Sequence, residues 1–456
     1  MSISPARAAA FEILLRVERT DAFASELLHS SRYAKLSSLD HGLATELVMG
    51  VLRWRSLLDA QIAKLSSQPL AKLDLEVLTA LRIAAYQLGF LSRVPKHAAV
   101  HESVEAVKQA KKQSAVGFTN AVLRKMAGSE WPQRTKSADA DHLAAESAHP
   151  SWLVDRWVGQ FGLKTAQEIC AYDQAVPQTS IRFSDPGLDD ELAGAGIKLA
   201  AGQLVTSARR LLSGDVTRTK AFHDGKVAIQ DEGSQLIALL VGQGKRILDC
   251  CAAPGGKTRV LAERNPQASV VAVELHPHRA RLLRKLISAK NVEIIRSDIQ
   301  QLRADEPFDR VLADVPCSGT GTLAHNPEIK WRLKLEDLAD LRSHQLAILQ
   351  AAMQKVGPGG RFVYSTCSLE HEENAAVVTE ALSRDNSFCL IHCKAVLESL
   401  RTAGELAWEG IDSLIEGPYL RTIPGLHPCH GFFAAILEKS SRGSLPRPAM
   451  ATHQLR

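Results

Sequence analysis

Between residues 5 and 127 apolar side chains recur three and four positions apart. Leu78, Leu81, Ala85 and Leu88 share one face, as do Val100, Val104 and Val107. That period is helical. Ser38 to Asp40 and the stretch 66–69 interrupt it, so residues 1–130 predict an all-helical domain. Residues 131–148 are polar and lack a sustained apolar face, as expected of a linker. The texture then changes: a Trp-containing helix (SWLVDRWVGQF), a second helix, a strand at 179–183 and short mixed signals predict a small α+β domain over 149–226. From Val227 onward, short β-branched runs alternate with helical stretches. Strands are expected at 246–250, 270–274, 292–295, 310–314, 361–366 and 432–437. Alternation of this kind builds βαβ units into a mostly parallel sheet with helices on both faces. Right-handed crossovers then bring the loops after the strands to one edge, where ligands bind. The expected fold is therefore multidomain, with an α/β Rossmann-like domain over 227–438. The Ser-, Arg- and Pro-rich tail 439–456 is expected to be disordered.

Charge changes this picture in one place. The chain has 456 residues with 55 basic and 50 acidic side chains. The first 130 residues carry 17 basic and 12 acidic ones, so the rest of the chain is balanced. A basic helical module on a neutral body suits docking to a polyanion. Lys108, Lys111, Lys112, Arg124 and Lys125 would form its ridge, against the alternative of an ordinary solvated helix surface. No apolar run approaches the roughly 18–20 residues of a membrane span. The N-terminus has no signal-peptide apolar block, and a cytoplasmic protein is expected. Eight cysteines show neither C-x-x-C pairs nor zinc spacing, which argues against a disulfide framework and against a metal site. His427, Cys429 and His430 make too short a cluster to change that.

The loop ILDCCAAPGGKT (247–258) ends a strand and opens a helix. Gly255 and Gly256 allow close approach of backbone to a ligand. A phosphate-binding P-loop needs glycine where Cys251 stands, and the dinucleotide pattern G-x-G-x-x-G is missing. A nucleoside without pyrophosphate remains. Glu274, ending the second strand, can accept both ribose hydroxyl protons, and Asp298, after the third, can meet an adenine edge. This arrangement suits S-adenosylmethionine. The competing reading makes Glu274 and Asp298 simple helix caps.

Two cysteines follow neighbouring strands, in Asp314-Val315-Pro316-Cys317 and in Ser365-Thr366-Cys367. Carbon 5 of a pyrimidine is not nucleophilic. Thiolate addition at carbon 6 makes it so, and this requires an activated thiol. Asp314 could hydrogen-bond N3 or the exocyclic amine of cytosine, and Lys257 could orient Asp314 or hold the thiolate charge. An inert buried thiol is the alternative for each cysteine. The residues alone do not choose between the two thiols.

At these positions the chain resembles the RsmB/Sun-type RNA 5-methylcytosine methyltransferases of the NOL/NOP2/Sun family. CCAAPGGKT, DVPCSGTG, NPEIKWR (326–332), STCS and VAIQDEGSQL (227–236) match its motifs, and residues 1–127 resemble NusB-like RNA-binding domains. The resemblance implies that Cys367 is the nucleophile and that Cys317 assists product release. It implies a donor site of Cys251, Ala252, Ala253, Pro254, Gly255, Gly256, Lys257, Glu274, Asp298 and Asp314. The implied substrate is a cytosine in a 16S ribosomal RNA hairpin, methylated by a monomer before the subunit is fully assembled. A tRNA substrate, or an RNA-binding antitermination factor with an inactive methyltransferase half, are the alternatives. Val315, Glu274 and His430 depart from the family's usual alanine, aspartate and aspartate. Arg279, Arg281, Arg284, Lys285 and Lys290 could flank an RNA cleft, into which the target base must be flipped or presented by a loop.

Overall fold

Helical periodicity in the first third produces helices at Pro5–Arg19, Ala24–Leu28, Ser38–Leu65, Leu75–Phe90, Lys96–Gln109 and Val116–Ala127. The computed structural model describes residues 3–131, 138–183, 185 and 187–441. Its contacts form two compact units, one of residues 1–177 with 322–333, the other of 178–321 with 334–456. In the first unit Ile13, Leu47, Leu58, Ile62, Leu81 and Leu123 are fully enclosed. Ser37 caps the long helix Ser38–Leu65 by accepting from Asp40 N at 3.1 Å, satisfying a donor that the helix leaves open.

The unit boundaries differ from those expected. Part of the expected linker is a helix, Ala140–Glu146, capped by Asp139 and burying Leu143 and Ala144. Two adjacent apolar residues suffice once they have a neighbour to pack on, here the helix Ser151–Phe161. Residues 132–137 of that linker lie outside the described residues. Helices Ser151–Phe161 and Leu163–Gln174, expected in the α+β domain, join the first unit, with Trp157 fully buried.

The segment 322–333 also belongs to this unit. Lys330 Nζ donates to Arg53 O and Ala148 O, both at 3.0 Å. Trp331 Nε1 donates to Leu52 O at 2.7 Å. Arg332 reaches the carbonyls of Val17, Thr20 and Ala22 at 2.7–3.0 Å, beyond the reach of internal bonding at the end of the first helix.

The second unit begins with a four-stranded antiparallel sheet of β1 (Ser180–Arg182), β2 (Lys198–Ala201), β3 (Ala208–Ser213) and β4 (Ala228–Ile229), ordered β2-β3-β1-β4. Because β4 pairs with β1, the expected boundary at 226 falls inside this sheet. The large sheet contains all six expected strands, as β5 (Arg246–Asp249), β6 (Ser269–Glu274), β7 (Val292–Arg296), β8 (Phe308–Asp314), β9 (Val356–Thr366) and β13 (Phe433–Lys439). Three short strands were not anticipated: β10 (Phe388–Ile391), β11 (Ile415–Glu416) and β12 (Tyr419–Arg421). The order is β11-β12-β13-β9-β8-β5-β6-β7, with β10 also on β13. β5 to β9 are mutually parallel, while β13 and the three short strands pair antiparallel. The sheet is thus mixed rather than mostly parallel. Residues 442–456, most of the expected tail, lie outside the described residues. No helix among the described residues is long and apolar enough to cross a membrane.

Candidate active site

The end of β5 and the helix Gly256–Arg264 are tied together by Thr258, whose hydroxyl donates to Asp249 Oδ2 at 2.7 Å. Burial pushes the Asp249 carboxyl up to about 6. Gly255 turns the loop at φ +115°, and a Cβ there would lie 2.8 Å from Leu283. Only glycine fits both demands. Ala252 N bonds Val273 O at 2.9 Å, and Arg279 donates to Ala253 O at 3.0 Å. Pro254 is exposed, whereas Gly256 lies close against Gln230. Burial raises the Cys251 thiol strongly, so it is a protonated wall rather than a nucleophile.

β5, β6 and β7 lie side by side, so Glu274 and Asp298 follow neighbouring strands on the edge that carries this loop. Glu274 is buried. Its Oε1 accepts from His276 N at 2.8 Å, and Arg279 stands 3.8 Å from Oε2. Asp298 Oδ1 accepts from Gln300 N at 2.9 Å. Each carboxylate therefore does cap a turn, and each keeps a second oxygen that accepts no hydrogen bond among the described residues.

The two cysteines meet because β8 and β9 run parallel with Asp314 opposite Ser365. Val315 N bonds Ser365 O at 3.0 Å and Gly321 N bonds Cys367 O at 2.9 Å. The sulfur atoms of Cys317 and Cys367 are 3.3 Å apart. Asp314 accepts from Lys257 Nζ at 2.6 Å and from Ser365 Oγ at 2.7 Å. Burial presses the Lys257 ammonium down, but the Asp314 carboxylate and the charge of Cys367 more than reverse this, and Lys257 stays protonated. The ammonium also sits 5.3 Å from the centre of the Phe432 ring. The Cys317 thiol is raised well above its ordinary value by its hydrogen bond with Cys367, by burial and by nearby negative charge. Cys317 thus retains its proton.

Ser365 was missed by the sequence reading. The signal was available in the run Ser365-Thr366-Cys367, which puts Ser365 at the end of the strand that delivers Cys367. Gly321 was missed too. A Cβ on it would lie 2.2 Å from Gly431 O and 2.8 Å from Cys367 O. We expect Gly321→Ala to displace the Cys367 loop, cutting methyl transfer at least tenfold and costing about 1–3 kcal/mol of stability. Initial rates and a urea melt of the variant check this.

His430 is held neutral, its pKa lowered to about 4 by burial and by Lys257. His427 Nδ1 accepts from Ile423 N at 2.8 Å, and the described residues hold no group of three metal-ligating side chains. Of the basic ridge, Lys108 pairs with Glu105 and Lys112 with Asp74, both at 3.2 Å. Lys111, Arg124 and Lys125 are exposed, as are Arg281, Arg284, Lys285 and Lys290 in the second unit.

Comparison with known proteins gives the family. Residues 236–438 match the family model for 16S rRNA methyltransferase RsmB/F, and residues 4–128 match the NusB family. The probable ribosomal RNA small subunit methyltransferase B of Bacillus subtilis is 34% identical over 394 residues, 83% of this chain and 88% of that protein. Ribosomal RNA small subunit methyltransferase B of Pseudomonas syringae pv. tomato is 36% identical over 379 residues, covering 77% and 80% respectively. The crystal structure of PH0851 shares the fold at TM-score 0.78 with 22% identity, over 96% of this chain and all of that one. A methyltransferase homologue from Pyrococcus horikoshii aligns at TM-score 0.55 and 25% identity, over 66% of this chain and 99% of that one. With the methyltransferase and NusB family matches both in place, and relatives above 30% identity over more than three quarters of the chain, the chain belongs to the RsmB/F family of 16S rRNA methyltransferases.

Proposed function

We propose that this protein methylates carbon 5 of a cytosine in small-subunit ribosomal RNA through a transient bond between Cys367 and the base. The observation that carries the proposal is the pair of thiols 3.3 Å apart beside the Ser365–Asp314–Lys257 chain. The donor pocket fits S-adenosylmethionine by its chemistry. Lys257, the cation of the loop, is committed to Asp314 rather than open to a phosphate, and the surrounding acids suit a sulfonium. Glu274 would hold the ribose hydroxyls, Asp298 the adenine edge, and Cys251 to Gly256 the wall. Bound there, S-adenosylmethionine supplies the electrophilic methyl group that carbon 5 receives.

The chain's own residues do the rest. Cys367, as thiolate, forms a sulfur–carbon bond at C6 of the cytosine. The displaced electron pair spreads over carbon 5 and the N3 side of the ring. There Asp314 can relay a proton from Lys257 to N3. After methylation a base takes the carbon 5 proton, the ring double bond re-forms as the C6–sulfur electron pair leaves with Cys367 as thiolate, and N3 returns its proton through Asp314 to Lys257. The S–H of Cys317 is placed to hydrogen-bond that leaving thiolate.

Names of the curated relatives support ribosomal RNA as substrate. Bisulfite sequencing of RNA from a deletion strain tests it. Loss of one 5-methylcytosine from small-subunit rRNA is expected. Loss from tRNA instead, or no loss at all, would overturn the assignment. Calorimetry should register S-adenosylmethionine binding, and silence there would favour an RNA-binding factor without activity.

A further inference from the structure

Behind the two thiols lies a carboxylate that the chemistry above does not use. Glu373 ends the short helix His371–Glu373 and is fully buried. Ser318, the residue after Cys317, donates to it twice, from its backbone N at 2.8 Å and from its hydroxyl at 2.5 Å. Ser368, the residue after Cys367, donates its hydroxyl to the same carboxylate. Gln345 Nε2 adds a fourth bond at 2.8 Å and also reaches Pro316 O at 3.0 Å. The two serine hydroxyls are themselves 2.9 Å apart. One anion thus clips together the residues that immediately follow each thiol. No cation pairs with Glu373 among the described residues, so its carboxylate is held by hydrogen-bond donors alone.

We propose that Glu373 is the positioning residue that locks the two thiols into their reacting pair and keeps the proton on Cys317, leaving the thiolate to Cys367. The charge pattern around the sulfurs is lopsided. Cys317 interacts with the charges of Glu373 and Asp314 and with the Cys367 sulfur. Cys367 instead interacts with the Lys257 ammonium. Glu373 is bonded to both the backbone N and the hydroxyl of the residue after Cys317, whereas the Lys257 ammonium interacts with Cys367; an anion beside one sulfur and a cation beside the other is the basis of the proposed division. This deepens the covalent reading above and rests on it for its catalytic consequence.

Glu373→Gln keeps the size of the side chain and removes its charge. The full-length variant is labelled with iodoacetamide across pH, and each cysteine is read by peptide mass spectrometry. At pH 8 Cys317 should label about tenfold faster than in the parent, because the anion that disfavours its thiolate is gone. The turnover number for methyl transfer should fall at least tenfold, with KM for S-adenosylmethionine within twofold. A folded variant with an unchanged Cys317 profile, or with intact turnover, would overturn the proposal. If Glu373→Gln does not fold, Ser368→Ala removes one of the four donors and keeps the charge: turnover should then fall while Cys317 labels as in the parent, and intact turnover in that folded variant would overturn the locking role. The labelling needs no RNA. A parent enzyme showing the expected thiol asymmetry, whose Cys317→Ala variant forms no RNA adduct, would sink the covalent reading while leaving the role of Glu373 standing.

Discussion

Cys367→Ala is expected to transfer no measurable methyl group and to form no bond with RNA, whereas Cys317→Ala should accumulate a protein–RNA adduct that survives denaturing electrophoresis. The asymmetry follows from the role proposed for each sulfur, and the next steps hold on that mechanism. Without Cys367 the cytosine ring is never activated, and a loss of roughly 10⁴-fold, or about 5 kcal/mol of barrier, is the scale for removing a nucleophile. Without Cys317, addition proceeds, but the departing thiolate loses the S–H that lies 3.3 Å away. The adduct then persists. An adduct with Cys367→Ala and none with Cys317→Ala would exchange the two roles, and no adduct with either would eliminate the covalent route.

The second large effect is structural. Lys330→Met should destabilise the first unit by about 3–5 kcal/mol, the usual cost of breaking a buried charged network from one side. Lys330 is only 2% exposed, and its ammonium serves two backbone carbonyls. Asp173, also buried, interacts with it electrostatically. Burial pulls the lysine down and pushes the carboxyl up, so each group relies on the other. Methionine fills the space but takes the ammonium from the Ala148 carbonyl, from the Arg53 carbonyl that Gln174 Nε2 also serves, and from beside Asp173, which keeps His149 at 3.4 Å. Calorimetry of the full chain should show the melting of this unit lowered by roughly 6–20 °C. A shift within one degree would mean that the site is satisfied without the ammonium.

Much of the catalytic edge could be read in advance, for a physical reason. Strands buried on both faces, such as VVAVE and RVLAD, are continuous apolar runs, and the chemistry sits directly after them. Hence Asp314, Cys317, Glu274 and Cys367 fell where expected. β11 and β12, only two and three residues long, carry no pattern long enough to recognise. Glu373 was hidden for a different reason. HEEN after a turn reads as an ordinary solvated helix start, and nothing local says that two serines 50 residues apart converge on it. KWR in NPEIKWR was the hardest case. Two charges and an indole suggest a surface, yet Lys330 is enclosed because a helix carbonyl, Arg53 O, and a turn carbonyl, Ala148 O, both distant in sequence, meet its protons.

That enclosure has a consequence for how the molecule is made. The first unit lacks Lys330, Trp331 and Arg332 until translation has passed residue 333, more than 150 residues after its helical part has been polymerised. At roughly 5–20 residues per second, the nascent helices wait on the order of 10–30 s for their missing wedge. During that interval the carbonyls at Arg53, Ala148 and Leu52 are without it, and a ribosome stalled before this codon stretch would release an unfinished helical bundle.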